Sequence, residues 1–157
     1  MAEQTWVIHW EGPLTLGEAR KKKGRNTGYV LYQLSGQHHL YGANVLLYIG
    51  QTSKGIKTRL GQHDEWVADE YDEMKVRLGS IAKFGSWNSF DKSKKPFPSP
   101  GLTIIKKIEG LLIHACQPAY NVANKNDARG AVEIRIFNTG RSGPIFPEIS
   151  SWYFLDQ

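Results

Sequence analysis

This chain is poor in cysteine, in long apolar runs and in repeats, and each scarcity narrows what it does. One cysteine, Cys116, stands among 157 residues. No internal disulfide forms from a single thiol, so a reducing, intracellular setting is expected. Its apolar neighbours make Cys116 a buried, inert thiol. No stretch approaches the roughly 18 apolar residues of a membrane-spanning helix. Glu3 interrupts the first residues, and no secretory leader is expected. Without repeats, low-complexity segments or linkers, the whole of 1–157 reads as one domain, long enough to bury a core without staples.

What is present is ordinary in bulk and basic in balance. The chain is 40% apolar and 22% charged, with a net charge of +5 and a pI near 9.3. That composition fits a globular protein, and the charge invites a polyanionic partner without naming one.

Residues 6–10 alternate apolar and polar and predict a short strand. Residues 13–23 predict a turn and a short helix that ends in the basic run Arg20-Lys21-Lys22-Lys23-Gly24-Arg25. That run is either a solvated arm or a phosphate-contacting one. The β-branched and aromatic content of residues 28–34 predicts a strand. A polar loop over 35–44 then leads to a second strand, 45–50, paired with it as an antiparallel hairpin. His38 and His39 lie in the loop without a carboxylate or cysteine at ligand spacing, and read as solvent-exposed. Thr52-Ser53 offers an N-cap for a short helix over 56–63. Residues 64–75 carry six acidic side chains among Trp66, Val67, Tyr71 and Met74, the pattern of an amphipathic helix with a solvated acidic face. Residues 76–84 predict a third strand. The proline-bearing loop 85–101 holds Lys92, Lys94 and Lys95, and is either functional or a flexible insertion. A strong helix over 102–116 stops at Pro118. A further strand over 132–137 and an aromatic end at Trp152-Tyr153-Phe154 follow.

Several residues carry chemistry. Glu109 sits on the 3.6-residue period with Ile105, Leu112 and Ile113. A carboxylate in an apolar stripe is costly to bury unless paired. A lysine salt bridge, exposure at the stripe edge, or a bound hard cation such as Mg²⁺ would each compensate it. Gly110 beside it costs about 1 kcal/mol relative to alanine mid-helix, which makes sense where something approaches closely. Arg59 and His63 share a helix face four residues apart; guanidinium matches phosphate oxygens and imidazole transfers protons near neutral pH. Tyr48, at the end of a strand, is an ordinary core aromatic unless positive charge lowers its phenol from near ~10. Asn121 would ordinarily be a turn or cap residue.

Taken in order, these segments resemble the GIY-YIG endonuclease family. The resemblance runs from a first strand ending in tyrosine, through Leu47-Tyr48-Ile49-Gly50-Gln51-Thr52, to Arg59-Leu60-x-x-His63. It resumes at Ile108-Glu109-Gly110-Leu111-Leu112-Ile113 and closes with Gln117-Pro118-Ala119-Tyr120-Asn121. It covers residues 28–121 as a catalytic core, with 1–27 and 122–157 as extensions. Two departures stand out. Gly28-Tyr29-Val30-Leu31-Tyr32 replaces Gly-Ile-Tyr, so either Tyr29 or Tyr32 is the first-motif tyrosine; Tyr32 is favoured, and the two are expected on opposite strand faces. Gln51 stands where several members have lysine, a charge that Lys54 or Lys57 would then supply.

What the resemblance implies is an α+β fold with a small central three-stranded antiparallel sheet flanked by helices. It also implies hydrolysis of DNA phosphodiester bonds with one divalent metal, Mg²⁺ or alternatively Mn²⁺, held by Glu109. Tyr48 would position or activate the water, Tyr32 would complete the tyrosine pair, and Gly50 would leave room for phosphate. Arg59 would stabilise the scissile phosphate, His63 would assist, and Asn121 would hold the site together. Lys54, Lys57, Lys92, Lys94 and Lys95 would contact the DNA backbone. Specificity would come from the extensions, a homodimer or a targeting partner, in the cytoplasm or at the nucleoid. The alternatives are a catalytically inactive nucleic-acid-binding module on the same fold and a protein-interaction domain.

Overall fold

The computed structural model describes residues 3–21, 28–51, 74–125 and 133–155. The helix expected over 56–63, residues 64–73 of the one expected over 64–75, Lys54, Lys57, Arg59, His63 and residues 22–25 of the basic run lie outside the described residues, and Lys75, expected to end that helix, begins a strand instead.

One six-stranded sheet organises the rest, with strand order β3-β2-β4-β1-β5-β6. Its strands are β1 (Gln4–Leu14), β2 (Tyr29–His38), β3 (Gly42–Gln51), β4 (Lys75–Lys83), β5 (Ile134–Gly140) and β6 (Glu148–Ser150). Every neighbouring pair is antiparallel except β1 with β5, which run parallel. The sheet curls into a half-barrel. This corrects the expected small three-stranded sheet flanked by helices. The antiparallel strands β3, β2 and β4 are half of a mixed sheet, and both extensions continue it rather than hang from it. Helices are few among the described residues: α1 (Leu16–Arg20), α2 (Leu102–Cys116), α3 (Ser151–Leu155) and a 3-10 turn at Lys92–Lys94.

The reason lies in β1. Its run from Trp6 to Trp10 is buried on both faces, and only an interior strand meets that condition. Paired with β4 through Trp6↔Lys83 to Leu14↔Val76, and with β5 through Gln4↔Ile134 to Trp10↔Gly140, it satisfies backbone groups along both of its edges. Trp10 lies over Gly79, where a Cβ would strike the indole at 2.9 Å, and its Nε1 donates to Asn138 Oδ1 at 2.9 Å. A short alternating stretch carries no record of its partners, so a five-residue pattern cannot announce a central position.

The two faces bury different clusters. On one, Trp6, Ile8, Trp10, Leu31, Leu46, Ile49, Ile81 and Ile136 receive Ile105, Ile108, Leu111, Leu112 and Ile113 of α2. On the other, Tyr32, Leu34, Leu47, Val76 and Leu78 receive Leu16 and Ala19 of α1. Helix α2 spans the residues expected of it; Gln117 turns left-handed at φ 50° and Pro118 follows. Cys116 packs partly buried against the first cluster, and burial pushes its thiol up to about 11. No helix among the described residues is long and apolar enough to cross a membrane.

The hairpin also departs from expectation. The strands run on through most of 35–44, leaving a short turn at residues 39–41. His38 holds that turn: its Nδ1 accepts from the backbone N–H of Leu40 at 3.1 Å and of Tyr41 at 3.2 Å. It is buried and stacked between neighbouring rings rather than free in solvent.

The sheet makes a direct prediction. A fragment of residues 28–121 lacks β1, β5 and β6 and exposes the β4 edge beside Leu78 and Ile81. It should show no cooperative thermal transition by circular dichroism where the full chain shows one; a cooperative melt of the fragment would mean that the extensions are dispensable.

Candidate active site at the β3 edge

Among the described residues strand β3 is the outermost on its side of the sheet, and one of its edges meets no further strand. The chain leaving α2 occupies that edge. Ala119 N–H donates to Leu46 O at 3.1 Å and Tyr120 N–H to Leu47 O at 2.8 Å. Asn121 then acts as a surrogate strand residue. Its Oδ1 accepts from Ile49 N–H at 2.9 Å and its Nδ2 donates to Ile49 O at 2.9 Å. Both bonds are buried, and they join positions 72 apart in sequence.

Beside this clamp stand the two motif tyrosines. In the β2–β3 register Tyr32 faces Gly50 and Leu34 faces Tyr48. A bulge opposite Leu34 and Ser35 takes up the extra residue Leu47, so Leu47 and Tyr48 both lie against the α1-side cluster. The rings of Tyr32 and Tyr48 stack with centroids 6.0 Å apart and planes at 28°. The structure gives Gly50 a packing role. A Cβ there would collide with the Tyr32 ring and its hydroxyl, so the glycine accommodates a tyrosine.

Tyr29 and Tyr32, expected on opposite faces, are not so divided. A register shift between Tyr29 and Leu31 leaves both tyrosines against the same cluster. Their surroundings still separate them. Tyr32 is fully buried beside Tyr48, whereas the Tyr29 hydroxyl donates to Glu11 Oε2. Burial, and after it the bonded Glu11 carboxylate, push the Tyr29 phenol well above its ordinary range.

Glu109 is half-buried on α2, flanked by the buried Ile105, Leu112 and Ile113. Their stripe packs on the face of Leu31, Leu46 and Ile49, whereas Tyr32 and Tyr48 belong to the opposite one. The structure therefore gathers Tyr32, Tyr48, Gly50 and Asn121 at one strand edge and sets Glu109 on the helix that this edge tethers. Among the described residues no group of three or more His, Cys, Asp or Glu is arranged to hold a metal ion. One carboxylate ligand suits a Mg²⁺ that keeps most of its waters and shares substrate oxygens, and does not suit a tight protein cage.

The three loop lysines divide. Lys92 and Lys94 are exposed, but Lys95 Nζ pairs with Glu11 Oε1 at 3.1 Å. His9, two residues before Glu11, contacts Thr139 Oγ1 through Nδ1 at 3.1 Å, and burial, then Lys95, lower its pKa. Sequence reasoning did not single out His9 or Glu11. Their signal was polar residues alternating with Trp6, Ile8 and Trp10, which reads as solvent on an edge strand and as a buried network on a central one.

Comparison with protein-family models, with curated proteins and with solved structures returns no match for this chain.

The Tyr32–Gly50 contact is testable. Gly50→Ala should cost about 1–3 kcal/mol by overpacking. In a Tyr32→Ala background the same change should cost much less, because the colliding ring is gone. Urea denaturation of the four proteins measures the coupling; additive losses would place the cost of Gly50→Ala elsewhere.

Proposed function

We propose that this chain is a divalent-metal-dependent endonuclease that hydrolyses DNA phosphodiester bonds at a GIY-YIG-like site. The observation that carries this reading is the convergence at the β3 edge. Tyr32, the Tyr48-x-Gly50 strand end and Asn121 come from separate segments yet interlock by ring stacking, a required glycine and a two-bond backbone clamp. A simple edge strand needs none of these, since water would satisfy its outer backbone groups.

In this reading Tyr48 holds or deprotonates the attacking water. Arg59 stabilises charge developing on the scissile phosphate, and His63 assists in proton handling or phosphate binding. Tyr32 backs Tyr48. Asn121 positions the strand through Ile49 and touches no substrate. Glu109 holds Mg²⁺, with Mn²⁺ as a substitute; the ion, when bound, offers Lewis-acid charge to the phosphate. Lys54, Lys57, Lys92 and Lys94 contact the DNA backbone. Lys95 contributes less, because Glu11 already pairs with it. The protein works on intracellular DNA, in the cytoplasm or at the nucleoid, with a second copy or a targeting partner supplying specificity.

The test is cleavage of supercoiled plasmid and of branched DNA with Mg²⁺ or with chelator. Wild type should cut only with the metal, and Glu109→Ala should cut at least roughly a hundredfold more slowly. Equal cleavage by the two proteins would remove Glu109 from the chemistry. Salt-sensitive binding without metal-dependent cleavage would leave the inactive binding module instead.

The same reading predicts a salt effect. Neutralising Lys92 and Lys94 together should weaken DNA binding and flatten the dependence of log Kd on log salt by a slope of about 1–2. A slope unchanged from wild type would mean that the loop does not touch phosphate.

A further inference from the structure

The loop of residues 85–101 is tightly built. Ser86 N–H donates to Ser89 Oγ at 3.1 Å, and Ser89 N–H returns a bond to Ser86 Oγ at 3.2 Å. Asp91 Oδ1 caps the 3-10 turn, accepting from Ser93 N–H at 2.9 Å and Ser93 Oγ at 2.6 Å. Phe97, buried, anchors the far end through Phe90, 5.6 Å away between centroids.

This scaffold presents an aromatic shelf. Trp87 meets Phe84 at 4.9 Å, Phe137 at 5.2 Å and Phe90 at 6.1 Å between centroids. All four rings reach solvent: Phe84, Phe90 and Phe137 are half-buried and Trp87 is 53% exposed. Three rings thus fix the orientation of a fourth that is left half open, where burial alone would favour covering it. Contiguous exposed aromatics on a built loop mark an interaction surface. Beside them Lys92 and Lys94 are exposed and form no ion pair among the described residues, while the nearby Asp91 carboxylate is occupied by Ser93.

Flat apolar faces next to exposed cations complement a ligand that joins π surfaces to anions. An apolar protein partner would have no use for the lysines. By strand alternation Phe84 and Phe137 lie on the same sheet face as Tyr32 and Tyr48. In the sheet register they lie two to four strands across and six to eight residues along from Tyr48, about 28 Å in the plane of the sheet, which a DNA strand spans in about eight nucleotides.

We propose that the Trp87 shelf is a stacking platform for an unpaired base of a DNA strand whose phosphates meet Lys92 and Lys94. This rests on the nuclease reading only in taking DNA as the nucleic acid; the substrate it selects is one with single-stranded or splayed bases several nucleotides from the cleavage site.

Binding without metal tests it apart from catalysis. Fluorescence anisotropy in chelator would compare a labelled single strand with the fully paired duplex of the same sequence, for wild type, Trp87→Phe, Trp87→Leu and Trp87→Ala. Trp87→Ala and Trp87→Leu should weaken single-strand binding roughly tenfold to a hundredfold and duplex binding less than about twofold, with Trp87→Phe near wild type. Leucine fills the shelf without a π face, so the Leu and Phe variants decide the matter even where alanine impairs folding. Unchanged single-strand affinity in Trp87→Leu overturns the proposal and leaves an apolar partner as the occupant. Equal losses for single strand and duplex overturn it as well. Cleavage lost in Glu109→Ala with Trp87→Leu binding unchanged would retain the nuclease reading and sink this one.

Discussion

The clamp between Asn121 and Ile49 is the contact on which the candidate site depends. An edge strand leaves a row of backbone donors and acceptors open to water or to another chain. Here residues 119–121 fill the row, and a side-chain amide does what a strand residue would otherwise do, offering one acceptor and one donor to one peptide. Because those residues leave the C-terminus of α2 directly, the clamp also sets where α2 ends and therefore how its apolar stripe meets Leu46 and Ile49. The position of Glu109 follows from the same anchoring.

A second constraint works from inside the sheet. Tyr32 is buried over Gly50, and Tyr48 stacks on it. Bulges in β2 and β3 shift the alternation so that Leu47 joins Tyr48, and Tyr29 joins Tyr32, on one face. These irregularities re-aim side chains that a regular strand would send apart, which is a common use of bulges beside functional sites. The Tyr29–Glu11–Lys95 chain of contacts then ties β2 to β1 and to the proline loop. A basic residue of the loop thereby becomes part of the fold, while Lys92 and Lys94 stay outside it.

By itself the sequence determined the local elements whose pattern is self-sufficient. Helix α2 follows from apolar residues on a 3.6-residue period and a proline stop, and β2, β3 and β4 follow from β-branched and aromatic runs between turn residues. It also determined which residues are chemically unusual: Glu109 within a stripe, Tyr48 ahead of a glycine, and an asparagine after Pro118. Those signals are short-range, carried by neighbours within a few positions.

Strand pairing, in contrast, was settled at long range. The parallel partnership of β1 with β5 joins segments about 130 residues apart, and nothing in either segment specifies the other. With that partnership, and with β1 paired to β4, the sheet has six strands rather than three, His9 and Glu11 turn inward, and the loop of residues 85–101 presents an aromatic shelf. Gly50 shows the same division at one residue. Its lack of a side chain was legible from the first reading, but that it makes room for the Tyr32 ring depends on a register set across two strands. Local propensity names the element; long-range hydrogen bonding and burial choose its neighbours, and the neighbours assign each side chain its work.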